Sequence, residues 1–553
     1  MNSKLCRAAL SLLLSLVLSC IVASAAAAQG ASAVAPSDLA SRDLDRLAEL
    51  GVLDSAIIGQ RPYSRRAILR MVRAVEGRSV GDATRGVDPR AAAEARRLVA
   101  RVRARLFTEP GDAEERQHGV FRVVDDASLA LVSSNARRRA LVGFGAATEA
   151  TINPLAERRL GQPAPRGQSA ALELSQRIEP TDWLAIQARE RVQASHASDG
   201  EAPSSDGELL LGTVRARFRN AAVTVGRQQV AWSQRPAAGL FLAADAPALD
   251  QLSLASDEPF VLPGLLRHLG PTQATLLVAN LGASRERSHS RLVAYKVSVA
   301  PTNALELGGT FMDHFGGEGA PTASAVDRLI DVLPFVDVFR RHNYSDTTRT
   351  LDVESDKLLG IDGRLRLARL AGIVLTGEIL VDDVDIHRIR TMFTWDGSQT
   401  FGLLFPSLGT PAVGLQLSAA HMGIRTYTHG QLPNGITTRG RLLGSELGPD
   451  AKEYSAAFRW TAGPALDLTL AGTSAIYSKA DYAPRDVSGV LQIGKSRTYP
   501  NELRDRVIAG AVVHRGAALA ITARAGGERT RNFAFQGVRA RAYVAELTVQ
   551  LVP

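Results

Sequence analysis

The densest run of side chains able to hold a cation is Asp382, Asp383, Asp385 and His387. Clustered carboxylates suit a hard ion such as Ca²⁺. The run falls between two alternating segments, where a solvated hairpin uses the same residue types, so a hairpin is expected and no metal is assigned. A second constellation is Tyr427-x-His429, followed by Asp450. An aromatic ring can stack on a sugar face while His429 and Asp450 hydrogen-bond its hydroxyls. The same residues have a plainer reading, with Tyr427 in a membrane-interface girdle and Gly448-Pro449-Asp450 as a turn before the next strand. Arg425, Arg439 and Arg441 flank this region, and their planar forks suit the carboxylates of an acidic polymer. They would equally solvate a loop or meet anionic lipid headgroups. Trp232 is a further candidate ring. His314 beside Asp313, and His342 beside Arg341, fall in loops. There is no Gly-x-Ser-x-Gly elbow, no His-Glu-x-x-His and no phosphate-cradling loop. The expectation is binding without a catalytic residue or cofactor.

The elements that would position these residues are strands. From Gly119 onward the hydrophobic period is 2. In Trp183 to Ala194, Leu184, Ile186, Ala188 and Val192 alternate with Gln187, Arg189, Arg191 and Gln193. Leu210, Val214, Ala216 and Phe218 alternate with Arg215 and Arg217. Leu359, Ile361, Leu365 and Leu367 alternate with Asp362, Arg364 and Arg366. The last segment sets Tyr543, Ala545, Leu547, Val549 and Leu551 against Glu546, Thr548 and Gln550. A membrane barrel needs such segments of about ten residues, one face to lipid and one to a polar interior. Its backbone groups must all pair, so the sheet has to close. The fold class expected is all-β with an N-terminal helical segment: a large antiparallel transmembrane barrel of roughly 16 to 19 strands. A soluble solenoid or propeller would show a period of tens of residues, and none recurs. Aromatic content of 5% predicts thin girdles. The longer irregular stretches are Trp232 to Pro271, Phe315 to Thr347, Trp395 to Pro411, Thr428 to Asp450 and Lys479 to Asn501. They are the expected external loops or lumen plugs.

Residues 1–28 have the pattern of a secretory signal peptide. Lys4 and Arg7 precede the apolar run Ala8 to Val22, and Ala26-Ala27-Ala28 offers a cleavage site. Leu18-Ser19-Cys20 loosely resembles a lipoprotein site, the competing reading. Both cysteines, Cys6 and Cys20, lie in this leader, so the mature chain is expected to hold neither disulfide nor thiolate metal site. No later run is long and apolar enough for a spanning helix. Net charge is +9, or +7 without Lys4 and Arg7, and nearly all the bases are Arg. Residues 29–118 read as a periplasmic helical segment. Ser37 caps a helix with Leu39, Leu44, Leu47 and Leu50 on one face, closed by Gly51. Ser64 caps a second carrying Ile68, Met71, Val72 and Val75. Pro89 opens a third with Leu98, Val99, Val102 and Leu106. Arg90, Arg96, Arg97, Arg101, Arg103 and Arg105 cover the rest of that helix, and solvation is the default account of such a face.

The order of several short motifs resembles a known family. Leu47-Ala48-Glu49-Leu50-Gly51-Val52 and Arg61-Pro62-Tyr63-Ser64 come first, then Gly226-Arg227-Gln228-Gln229-Val230-Ala231-Trp232. Pro263-Gly264 and Leu269-Gly270-Pro271 follow. The series ends with Tyr427-x-His429, Gly440 to Gly444 and Leu447-Gly448-Pro449-Asp450. Together they resemble the Wzi family of capsule assembly proteins over essentially the whole mature chain. Ser233-Gln234-Arg235 departs from the Gly-rich turn the family pattern would place there. The resemblance implies a monomeric outer-membrane barrel with a helical bundle near its periplasmic mouth. It also implies a lectin-like role, holding capsular or related acidic polysaccharide at the cell surface with outer-membrane lipid as its solvent. No nucleic-acid partner is implied. A porin-like channel is the alternative, and it differs in needing an open polar bore.

Overall fold

The computed structural model describes residues 31–552, apart from 80–88, 108–118, 143–146, 156–165, 198–202, 383–396, nearly all of 322–354, and stretches of one to three residues elsewhere. The leader therefore lies outside the described residues. Three helices come first: α1 (Leu39–Glu49), α2 (Arg65–Ser79) and α3 (Pro89–Leu106). The expected apolar stripes meet in one core, where Leu44, Leu47, Ile68, Val72, Leu98 and Val102 are all buried. The Ser64 hydroxyl caps α2 by accepting from the Ala67 amide at 3.1 Å, as expected. The cap of α1 differs from expectation. Asp38 holds extended backbone and its carboxylate accepts from the Ala40 amide at 2.7 Å, while Ser37 donates instead to Gln229.

The arginine face of α3 also differs. Arg90 and Arg96 are exposed as expected, but the other four are built into ion pairs: Arg97 with Glu94, Arg103 with Glu76, Arg105 with Asp38, and Arg101 with both Asp43 and the barrel residue Asp467. Sequence periodicity cannot distinguish a solvated basic face from one that docks on acids contributed by distant strands.

Eighteen antiparallel strands then close into one barrel. They are β1 (Val120–Ser134), β2 (Gly167–Glu179), β3 (Leu184–Ala197), β4 (Ser204–Phe218), β5 (Ala221–Gln228) and β6 (Leu249–Ser256, resumed at Phe260–Val261). Next come β7 (Pro271–Asn280), β8 (Arg291–Thr302), β9 (Leu305–Phe315), β10 (Ser355–Leu367), β11 (Ile373–Asp382) and β12 (Ser398–Phe405). The last six are β13 (Val413–Met422), β14 (Ala451–Gly463), β15 (Leu466–Tyr477), β16 (Glu502–Arg515), β17 (Leu519–Phe533) and β18 (Val538–Leu551). Each strand pairs with the next, and β18 pairs with β1 (Leu547 opposite Leu131), so no edge remains. The alternation is resolved as the sequence predicts except at Leu184 and Leu210, both buried, Leu210 because a bulge in β4 puts Leu209 on the outer wall in its place. Ile186, Val192, Ile361, Leu547 and Leu551 are exposed on the outer wall, while Arg191, Asp362 and Glu546 are buried within. No helix among the described residues is long and apolar enough to span a membrane.

Four of the expected loops contain further strands, Thr428 to Asp450 holding the short pair Thr437–Thr438 and Arg441–Leu442. Trp232 to Pro271 includes β6 and a 3-10 turn, Gly264–Leu269; Trp395 to Pro411 includes β12; and Lys479 to Asn501 holds a hairpin, Asp481–Val487 with Val490–Ser496, outside the barrel sheet. Strands β6 and β12 are only eight residues long and flanked by Gly and Pro, which hides their alternation. Of Phe315 to Thr347, the part from 322 onward, including His342, lies almost wholly outside the described residues.

One end of the barrel has short turns, and the helices dock there. Arg46 on α1 donates to the Pro406 carbonyl at 2.8 Å and also reaches that of Pro411. Arg97 reaches the Pro464 carbonyl at 3.2 Å. Residues 56–62 then enter the lumen. The Ile58 and Gly59 amides donate to Glu306 at 2.9 and 2.7 Å, and Gln60 donates to the Gln273 carbonyl at 2.9 Å.

Candidate functional site

At the opposite end the connections are long, and two of them fold inward. Residues 229–248 between β5 and β6 meet the N-terminal segment by paired bonds between Arg61 and Ala231, 2.9 and 3.2 Å. Residues 423–450 between β13 and β14 lie on top of them, with the Ala243 amide donating to Leu443 at 2.8 Å. Trp232, Leu240, Phe241, Leu242, Tyr427 and Leu443 share one buried core with the inward faces of the strands. The described residues thus form a continuous plug from the short-turn mouth to the long-loop end. Its polar groups are matched to the wall. Glu378 accepts from the Ser233 hydroxyl and from the Gln234 and Leu240 amides, at 3.2 and 2.9 Å for the two amides. Gln234 also donates to Glu306 and Asp362, and Lys296 pairs with Asp362. Ser233-Gln234-Arg235, the departure from the family pattern, supplies these contacts.

The candidate residues separate into two groups. Tyr427 and Trp232 are buried, at 0% and 1% exposure, so neither ring presents a face to a ligand. The Tyr427 hydroxyl donates to the Leu240 carbonyl at 2.5 Å and accepts from the Ser445 amide at 3.0 Å. The Trp232 amide donates to the Leu242 carbonyl at 2.9 Å. Both rings therefore anchor the plug. Tyr427 also has φ 66°, a conformation a bulky residue adopts only when its surroundings impose it. The Asp382 carboxylate, accepting from the Tyr427 amide at 3.1 Å, is one such constraint. Asp382 is thus placed by the plug, while Asp383, Asp385 and His387 lie outside the described residues. Among those described, no group of three or more metal-ligating side chains assembles.

Arg425, His429, Arg439, Arg441 and Asp450 are half-buried on the 423–450 segment. Arg439 reaches Glu208 on β4 at 2.5 Å, and burial followed by the neighbouring Arg227 lowers its pKa. Asp450 lies 3.8 Å from Lys495. Its amide donates to Gly423 and its carbonyl accepts from Ser478, each at 3.0 Å, so it closes the segment just before β14, as the turn reading expects.

Arg285 was not legible as part of this region. From the 281–290 connection it donates to the Gly435 carbonyl at 2.9 Å and to that of Thr437. Burial lowers its pKa to about 10, which leaves it charged at neutral pH. No motif marks it, because its partners are backbone carbonyls far away in sequence. A separate charged cavity of about 80 Å³ lies between the helices and β1–β4, lined by Asp38, Arg65, Arg105, Asp125, Asp126 and Arg189.

A closed eighteen-strand barrel with an apolar outer wall and an internal plug defines the class: an integral outer-membrane β-barrel whose long-loop end is capped from within. The family model for the capsule assembly protein Wzi matches residues 144–504, and the chain belongs to that family. Among solved structures, the chain is similar to Wzi of Escherichia coli. That protein is described as an outer-membrane protein involved in group 1 capsule assembly and as a carbohydrate-binding β-barrel. The similarity has TM-score 0.64 and 14% identity over 94% of this chain and 99% of that one. OprD of Pseudomonas aeruginosa (TM-score 0.40, 11% identity, 78% and 94% covered) and OccAB1 of Acinetobacter baumannii (0.41, 11%, 77% and 96%) are more distant. By sequence alone, no curated protein matches.

Proposed function

We propose that this protein holds an acidic capsular or related polysaccharide at the outer surface of the cell, acting as a monomeric, plugged lectin-like barrel. The short-turn end with its helices faces the periplasm, and the long-loop end faces outward. The observation that carries this reading is the plug of a chain belonging to a capsule assembly family. Its outer segment, 423–450, is a rigid platform with Arg425, His429, Arg441 and Asp450 at partial exposure, rather than the rim of an open bore. Tyr427 and Trp232 are read as supports of that platform, and Arg439 as its tie to the β4 rim. Guanidinium groups that keep a partly dry setting engage carboxylates more strongly than freely solvated ones. The role is binding and not catalysis.

The test is retention. A deletion strain complemented with the parent should keep polysaccharide on the cell and release little, whereas Arg425→Ala with Arg441→Ala should shed more while the barrel still folds. Binding should weaken as salt rises, since exposed charge contacts are screened over about 8 Å at physiological ionic strength. Equal retention by the double variant at low and high salt would reject this placement.

A further inference from the structure

The outer wall carries a second charged site, on the opposite side of the sheet from the plug. Register places residues of β14 to β18 in rows around the barrel. One row runs Tyr454, Ser474, Asp505, Arg529, Arg541; the row nearer the long loops runs Lys452, Ile476, Leu503, Arg531, Arg539. The row on the other side runs Ala456, Gly472, Val507, Gly527, Tyr543. These positions point outward, because the residues alternating with them, such as Arg504, Glu528 and Glu546, are buried inside. Arg529 is directly opposite Arg541, and Arg531 directly opposite Arg539. All four are exposed. With strands about 4.8 Å apart and i, i+2 neighbours about 6.8 Å apart, they make a two-by-two grid of guanidinium groups.

Like charges directly opposed across strands are unfavourable, so four together call for an anion. Asp505 supplies only part of it, 3.6 Å from Arg531 and bonded to Ser474. A shallow depression lies beside Arg529 and Arg541. Gly472 and Gly527 form the floor, and Tyr454 and Asp505 share the rim. A Cβ added at Gly472 would meet nothing, so this part of the wall faces open space. Immediately toward the short-turn end begins the lipid-facing belt, with Val507, Tyr543 and Leu547 at 57%, 50% and 41% exposure. The grid therefore stands where headgroups meet acyl chains.

We propose that this face binds a phosphorylated lipid of the outer leaflet, with its phosphates among Arg529, Arg531, Arg539 and Arg541 and its acyl chains along the apolar wall below. Planar forks suit phosphate oxygens, and a membrane-anchored phosphate brings its own apolar half to the Val507–Tyr543 surface. A soluble polysaccharide would not use that surface. Such binding would fix the barrel's depth and rotation in the outer leaflet.

The experiment measures binding of the purified full chain in detergent to bis-phosphorylated lipid A, the same lipid after dephosphorylation, phosphatidylcholine, and inorganic phosphate. The expected result is at least tenfold tighter binding of lipid A than of the other three. Arg529→Gln/Arg531→Gln/Arg539→Gln/Arg541→Gln should remove that preference, while Arg515→Gln, at the short-turn end of the same wall, keeps it. Heat-modifiable migration checks that the variants are folded, and the phosphate-removal arm uses the parent chain and so stands even if the quadruple variant misfolds. Equal binding of dephosphorylated lipid overturns the proposal. So does full competition by inorganic phosphate, which would mean a free-anion site. A quadruple variant that binds lipid A like the parent but loses polysaccharide also overturns it, in favour of a glycan surface.

Discussion

At the scale of single residues, the aromatic rings that suggest sugar stacking are committed elsewhere. Tyr427 is enclosed by Leu240, Ser445 and Asp382, and Gly444 makes room for it: a Cβ there would collide with the Leu240 carbonyl and the Tyr427 hydroxyl. Removing the hydroxyl strands a buried carbonyl, at a cost of about 1–3 kcal/mol. Tyr427→Phe should therefore lower hydrogen-exchange protection of the plug amides, those of Leu443 and Trp232 for instance, by about one to two orders of magnitude. Gly444→Ala should do more. Unchanged protection in both variants would show that the ring is not an anchor. Arg425 and Arg441 belong to the same scale, and their substitution is the direct probe of polymer retention.

At the scale of elements, ion pairs hold the helices to one another and to the barrel, and their pH dependence follows. Asp38 is buried, which raises its pKa, but Arg105 and the Ala40 amide outweigh burial and leave it lowered. Glu49 is likewise lowered, burial being outweighed by Arg459 and then Arg46. A depressed carboxylate contributes stability that is fully present above its unfolded pKa, about 3.9 for Asp and 4.3 for Glu, and is lost as pH falls through the folded value. Asp43 runs the other way. Burial dominates over Arg101 and raises its pKa, so its contribution is greatest below the unfolded pKa and is lost as pH rises through the folded one. With two groups against one, the bundle should stay docked from neutral pH to about pH 4 and loosen below that. Limited proteolysis of residues 31–107 over that range reads the transition. Release already at pH 6, or no change at pH 3, would contradict this account.

At the scale of the whole molecule, the plug is built from both mouths, residues 56–62 from one and 229–248 with 423–450 from the other, and the two sides meet at Arg61 and Ala231. Planar-bilayer conductance of the full chain should be small. Deleting residues 31–107 removes the N-terminal contributor and should raise it severalfold, while 229–248 and 423–450 still restrict the bore. Equal conductance would mean that the helices block nothing, and a porin-like role would regain ground. The outer wall adds a separate expectation, that lipid A preference resides in the β17–β18 arginines and not in the plug.

Sequence alone determined the features that depend on local period. The strand alternation from Gly119, the three amphipathic helices, the Ser64 cap and the antiparallel barrel follow from which side chains recur at 2 or 3.6 residues, because each face must meet one kind of solvent. Short motifs in order were enough to suggest the Wzi family, although each is weak by itself. Only the tertiary structure decided what the polar residues do. Glu306, Glu378, Asp382 and Arg101 look alike in sequence as inward or surface charges. Their roles as acceptors for plug amides, or as a bridge from helix to barrel, depend on partners roughly 40 to 370 positions away. The inward folding of 229–248 and 423–450 was invisible for the same reason. A loop's composition is compatible with either side of the barrel rim, and the choice is made by the apolar residues around Trp232, Phe241 and Tyr427 finding a core that exists only after the sheet has closed.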